Sequence, residues 1–227
     1  MRPSRLAWSS VLLACVAFAT PAAAQGAGPR PPGVPRPAIG LGVRAFVSFD
    51  RLSMTASQSF DAVLDTHTFT APGGGVDVTG LVKGVFARVA FSRASADGER
   101  AVIVDGRAVR LGIPLRVELS PVEIGGGWRQ PLDRRARVVG YGGAGVLLLG
   151  YKETSDFAKP GDDVDERFRG WTIFAGADVD LWRGVMAGVE YQYRRVANAI
   201  GEAGVSQAFG ETDLGGSVLR VVFGFRR

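Results

Sequence analysis

Residues 215–225 read Gly-Gly-Ser-Val-Leu-Arg-Val-Val-Phe-Gly-Phe. Side chains of a strand alternate between its two faces. Leu219, Val221, Phe223 and Phe225 then share one face, continuously apolar and ending in two aromatics. Val218, Arg220, Val222 and Gly224 share the other, with a charge at its centre. A water-soluble sheet rarely ends its chain this way, whereas a strand with lipid outside and a polar lumen inside does. The alternative is a half-buried strand of a secreted sandwich. The rest of the chain discriminates between the two.

The chain has 227 residues, the length of one domain, and 32 of them are glycine. Its only continuous apolar stretch is N-terminal, and no later segment approaches the ~20 apolar residues of a membrane-spanning helix. A membrane-embedded form must therefore be a closed barrel, the other structure that satisfies every backbone group in lipid. Residues 1–24 read as a secretory signal peptide. Arg2 and Arg5 supply the charged start, Leu6 to Phe18 the apolar centre, and Ala22-Ala23-Ala24 the small-residue cleavage site before Gln25. Leu12-Leu13-Ala14-Cys15 is a competing lipoprotein-like box, in which Leu13 fits poorly. Cleavage after Ala24 removes Cys15, which excludes a disulfide framework and a thiolate nucleophile from the mature chain. It also removes two arginines, lowering the formal charge from +5 to +3. The remaining arginines are scattered, so no nucleic-acid partner is expected.

Residues 25–37 carry Pro29, Pro31, Pro32, Pro35 and Pro37 and read as an extended periplasmic linker. The first strand is Ile39–Phe49, with Arg44 opposite its apolar face. A polar loop over about 50–74 contains Phe60, Val63 and Leu64 at helical spacing, which predicts a short helix after serine caps. Further strands are expected at 76–79, 85–92, 115–128, 138–151, 171–181 and 185–194. A small hairpin over 101–110 would turn at Asp105-Gly106. In the fourth strand Leu115, Val117 and Leu119 oppose Arg116, Glu118 and Ser120, and the apolar set then shifts to Val122, Ile124 and Trp128. That change of phase beside Pro121 predicts a β-bulge.

With residues 215–225 the count is eight strands. Short connections (81–84, 129–135, 181–184) alternate with long ones (50–74, 93–112, 152–168, 196–214). An up-and-down outer-membrane barrel has this rhythm, with short periplasmic turns and longer outside loops. The expected fold is thus all-β: an eight-stranded antiparallel up-and-down transmembrane β-barrel over residues 38–227. Through this architecture, the alternating strand ending at Phe225 and the Gly/aromatic pattern, residues 38–227 resemble the small outer-membrane barrels of the opacity-protein, OmpX and OmpW type. In that family the aromatic usually ends the chain, and here Arg226 and Arg227 follow it. The resemblance implies a Gram-negative outer membrane location, contact with outer-membrane lipid, and the barrel-assembly machinery as a partner in biogenesis. Relatives of this type include adhesins, structural proteins and a few lipid-modifying enzymes, so fold alone does not fix function.

Inward-facing charges are the first candidates for chemistry: Arg44, Arg88, Arg116, Glu118, Asp178, Asp180, Glu190, Arg194 and Arg220. Eight strands leave an interior just wide enough for side chains to fill. Buried charges must pair, so the expectation is a salt-bridged structural plug; the alternative is a narrow path for ions or small apolar solutes. Trp128, Tyr141, Tyr151, Trp171, Tyr191, Tyr193, Phe223 and Phe225 are expected in the membrane girdles. Asp162-Asp163-Val-Asp165-Glu166 lacks the spacing of a calcium loop and reads as a solvated tip. His67 is the only histidine, with Ser59 and Asp65 nearby in sequence but no evident nucleophile, base and orienter arrangement. No catalytic residue, metal or cofactor is expected. The function expected is a non-enzymatic, monomeric barrel with a structural or surface-contact role, its external loops meeting an extracellular ligand or a host surface.

Overall fold

The computed structural model describes residues 42–80, 82–155, 164–202 and 204–226. The signal peptide, the proline-rich linker, Cys15 and the Asp162-Asp163 pair lie outside the described residues. The elements are β1 (Gly42–Met54), α1 (Ser57–Leu64), β2 (Thr68–Thr79), β3 (Val85–Ser92), β4 (Ala94–Val104), β5 (Arg107–Pro131), β6 (Val138–Ser155), β7 (Val164–Trp182), β8 (Val185–Arg195), α2 (Gly204–Phe209) and β9 (Gly216–Arg226).

Every strand pairing is antiparallel. β5 is long enough to pair β3 along Phe91 to Val85 and β4 along Ala94 to Val104. β3 and β4 therefore occupy one position in the ring, on either side of Arg93. The last strand closes the circle on the first, from Arg44↔Arg226 to Met54↔Gly216. Nine strands make a ring of eight, which leaves no open sheet edge to satisfy in lipid.

Alternation sorts the side chains as lipid demands. Val43, Val47 and Phe49 on β1, Ile173 and Val179 on β7, Val189 and Tyr191 on β8, and Leu219, Phe223 and Phe225 on β9 are exposed outward. On β7 this belt runs from Trp171 to Leu181, about 33 Å of strand at ~3.3 Å per residue. Tilted by about 40°, that is a height of about 25 Å, the apolar band of an outer-membrane barrel.

Above the belt the polarity inverts. Leu52, Met54, Phe69, Leu115, Val117, Leu119, Leu147, Leu149 and Val218 point inward and form one apolar core with Phe60 and Leu64 of α1. The outward positions at this height carry Arg51, Arg93, Arg116 and Lys152. A barrel wall surrounded by water must bury its apolar face, so strands that leave the membrane keep their alternation and exchange its meaning. This accounts for two departures from expectation. The polar segment 50–74 is largely strand, with β1 reaching Met54 and β2 beginning at Thr68. There is no bulge at Pro121: β5 pairs β6 in unbroken register from Leu115↔Ser155 to Pro131↔Val139. The apparent phase change marks the height at which the apolar face moves from inside to outside.

The predicted helix is present as α1, and the predicted hairpin turns at Asp105 (φ 51°) and Gly106 (φ 74°), the left-handed pair of a type I′ turn. The serine caps are not used. Ala56 occupies the N-cap position and makes no side-chain bond.

Candidate functional site

Inside the belt, charges pair first with register neighbours on adjacent strands. Arg44 of β1 stands opposite Asp77 of β2, which stands opposite Arg88 of β3. Asp77 accepts from both guanidiniums, and Arg44 also reaches Asp178 of β7 at 2.9 Å. Asp50 of β1, Arg220 of β9 and Glu190 of β8 form a second cross-strand row. Arg220 donates to Asp50 at 2.8 and 2.7 Å, to Glu190 at 3.2 Å, and across the lumen to Glu123 of β5 at 3.2 Å. Arg194 pairs with Glu123, and Gln192 donates to Glu123 at 3.2 Å. Arg88 joins the two rows by pairing with Glu190.

Aromatic rings fill the space between these groups. The Arg88 guanidinium lies 4.5 Å from the Phe174 ring and 5.3 Å from the Phe86 and Tyr141 rings, and that of Arg44 lies 4.9 Å from Phe46. Gly143 makes room for this layer: a Cβ there would sit 2.7 Å from Phe174 Cζ and collide with the Gly126 carbonyl oxygen. Counting Arg129, which approaches Asp178 at 3.5 Å, five arginines face five carboxylates. Near-neutrality with each charge bonded lets such a cluster stay buried.

Arg44, Arg88, Asp178, Glu190, Arg194 and Arg220 come together in this cluster, while Asp180 pairs with Arg226 at the half-exposed lower rim. Arg116 and Glu118 do not belong to it. They point outward above the belt, where Arg116 bonds Asp97 at 2.7 Å and Glu118 accepts from Arg93 at 2.6 Å. Their misplacement follows from the polarity inversion along β5. Four charged members escaped sequence reasoning: Asp50, Asp77, Glu123 and Arg129, the last of which shares the parity of Glu123 on β5. Each has lumen parity in its strand, Asp50 with Arg44 and Ser48, Asp77 between Val76 and Val78, and Glu123 between Val122 and Ile124.

Among the expected girdle residues, Trp128, Trp171, Tyr191, Tyr193, Phe223 and Phe225 are exposed outward. Trp171 and Tyr193 touch, ring centroids 5.8 Å apart. Tyr141 and Tyr151 turn inward instead. Tyr141 packs edge-on against Phe86, and the Tyr151 hydroxyl donates to Glu153 at 3.0 Å. They share the parity of Leu147 and Leu149, which is the interior face of β6.

The outer end is organised around α1, and both helix ends are capped by distant segments. At the N-terminus the Glu211 carboxylate accepts from the Gln58 and Ser59 backbone N–H groups at 3.0 and 2.8 Å, and from Ser59 Oγ at 2.6 Å. At the C-terminus Arg110 of the β4–β5 hairpin donates to the carbonyls of Asp61 and Ala62, both at 3.0 Å, and pairs with Asp65. A carboxylate at the positive end of the helix and a guanidinium at the negative end satisfy orphan backbone groups and oppose its dipole. The hydrogen bond from Arg110 holds the Asp65 carboxyl below its ordinary pKa. His67 Nδ1 lies 2.9 Å from Asp61, while Ser59 and Asp65 are engaged elsewhere, by Glu211 and Arg110.

Between α1, the β4–β5 hairpin, the tops of β6 and β7, and residues 198–202, 205 and 206 lies a cavity of about 640 Å³. Phe60, Leu64, Leu115, Val117 and Leu214 are on its walls, with Arg100, Glu153 and Glu166 among the polar groups. Ala101, Val102 and Leu111 of the hairpin line it as well. Val102 and Val109 are cross-strand neighbours there and, with Val104 and Leu111, are exposed.

Residues 10–226 match the sequence family described as outer membrane protein beta-barrel domain. No curated protein matches the chain. Among solved structures, a major outer membrane protein from Thermus thermophilus is similar at 12% identity and a TM-score of 0.50, over 82% of this chain and 99% of that one. The attachment invasion locus protein Ail of Yersinia pestis, in complex with the heparin analogue sucrose octasulfate, is similar at 12% identity and 0.46, over 82% and 97%. Neisserial surface protein A is similar at 12% and 0.42, over 82% and 95%.

Proposed function

The chain belongs to the family of outer membrane protein beta-barrel domains, and from that premise we propose that it is a closed, non-enzymatic barrel that makes surface contact through its outer hairpin. One observation carries the proposal. The β4–β5 hairpin stands above the polar wall with Val102, Val104, Val109 and Leu111 exposed, although the rest of the wall at this height keeps its apolar residues inside. An apolar patch held out in water and rimmed by charge is the usual mark of a contact surface. Arg110 fixes the hairpin to α1, so the patch is presented by an ordered element.

Conduction through the lumen is not part of the proposal, because the arginine–carboxylate cluster and the apolar core above it both stand across the path. The engagement of Ser59 and Asp65 away from His67 supports a non-enzymatic reading.

The test compares cells displaying the wild-type chain with cells displaying Val102→Ser/Val109→Ser/Leu111→Ser, scored for autoaggregation and attachment to an apolar surface. Both chains should show the heat-dependent gel mobility of a folded barrel, and only the wild type should promote contact. Equal contact by the two would refute the hairpin's role. Regular conductance steps from the wild type in planar bilayers would refute the closed lumen.

A further inference from the structure

At the end where the described chain begins and finishes, three short turns join β2 to β3, β5 to β6, and β7 to β8. They recur around the ring, and each couples an exposed apolar side chain to a cation. Val82 (62% exposed) precedes Lys83; Leu132 (60%) precedes Arg134, Arg135 and Arg137; Leu181 and Trp182 (61% and 67%) precede Arg183. The Arg183 guanidinium lies 4.9 Å over the Trp182 ring.

The exposed turn cations at this end are not neutralised by carboxylates. At the outer end four exposed cations have acidic partners, Arg93 with Glu118, Arg110 with Asp65, Arg116 with Asp97 and Arg195 with Asp213, while Arg51, Arg107 and Arg167 form no ion pair with a described residue. Among the described residues, Lys83, Arg134, Arg135, Arg137 and Arg183 have none. The nearest acids are already used. Asp133 accepts from the Val138 backbone N–H at 2.9 Å, closing its own turn, and Asp180 pairs with Arg226.

We infer that these three turns form a docking ring for anionic phospholipid headgroups of the periplasmic leaflet. Five cations spread around a circumference suit a flat anionic surface better than a compact ligand. The exposed aliphatic Val82, Leu132 and Leu181 favour a lipid boundary over a hydrated anionic polymer, since aliphatic side chains gain far more from leaving water for an acyl region than from contact with a wet polysaccharide. Cations would meet phosphates while the neighbouring apolar groups enter the acyl boundary. The inference rests on the family's orientation of the barrel, with short turns in the periplasm, and is independent of the role proposed for the outer hairpin.

The experiment places the full chain, folded in phosphatidylcholine vesicles, beside trace spin-labelled phosphatidylglycerol or phosphatidylcholine and measures the motionally restricted lipid fraction. The wild type should select phosphatidylglycerol by about fivefold, and 0.5 M salt should remove much of that preference. The combined variant Lys83→Gln/Arg134→Gln/Arg135→Gln/Arg137→Gln/Arg183→Gln should keep its heat-dependent gel mobility and lose the preference. An outer-end control, Arg51→Gln/Arg167→Gln, should retain it. Unchanged selectivity in the five-residue variant would overturn the inference, as would loss of selectivity in the control. Loss of binding to isolated peptidoglycan sacculi, with lipid selectivity unaltered, would also overturn it and assign the ring to an anionic polymer.

Discussion

Arg220 is the side chain whose removal tests the lumen most directly. Only 1% exposed, it bonds three carboxylates on three other strands: Asp50, Glu123 and Glu190. In Arg220→Met the stem length is kept and the charge removed. Glu123 retains Arg194 and Glu190 retains Arg88, but Asp50 is left with only Arg194 Nη2, at 3.8 Å. The variant therefore strands one buried carboxylate, which costs about 3–5 kcal/mol. Denaturant unfolding of the vesicle-inserted barrel, followed by tryptophan fluorescence and gel mobility, should show a lower midpoint at unchanged slope. Adding Asp50→Asn removes the stranded charge and should restore about 1–3 kcal/mol, the coupling expected for groups in one network. A loss under ~1 kcal/mol for Arg220→Met would refute the reasoning. So would an Asp50→Asn effect that simply adds to it, because the lumen would then be hydrated enough to solvate a lone carboxylate.

Three further outcomes follow from the outer end and from the strand packing. Glu211→Ala removes the acceptor at the start of α1, so hydrogen exchange over residues 58–64 should accelerate about tenfold while the barrel strands are unaffected; unaltered exchange would show that packing of Phe60 and Leu64 alone holds the helix. The Asp65 carboxyl titrates below its ordinary value, so its contribution is complete above an unfolded pKa of about 3.9 and is lost as pH falls through the lower folded value. Spin labels at Gln58→Cys and Arg107→Cys should accordingly report one narrow distance at neutral pH that broadens only below about pH 4; no broadening on further acidification would show that the Arg110–Asp65 pair does not hold the hairpin to α1. In Gly143→Val the new side chain would meet the Gly126 carbonyl and the Phe174 ring, and the heat-dependent gel shift should be lost; a normally folded variant would mean that β5 and β6 can separate locally.

Alternation by itself determined the strands inside the membrane, their outward residues, the lumen positions of Arg44, Arg88, Glu190, Arg194 and Arg220, and the short helix and tight hairpin above. Lipid acts on each strand separately, so every span carries the requirement in its own residues and can be read locally. Only the closed ring decided the rest. Leu115, Val117 and Leu119 face inward because water, not lipid, surrounds the barrel at their height, and the phase change within β5 that marks this boundary reads equally well as a bulge until the register is known. That misled the placement of Arg116 and Glu118, and the same interior parity took Tyr141 and Tyr151 out of the girdle. The partners of the charges were equally hidden. Asp50 meets Arg220 across 170 positions and Ser59 meets Glu211 across 152, distances over which sequence pattern carries no register. Polarity against a uniform solvent is a local property, whereas pairing across a lumen exists only after the last strand has closed on the first.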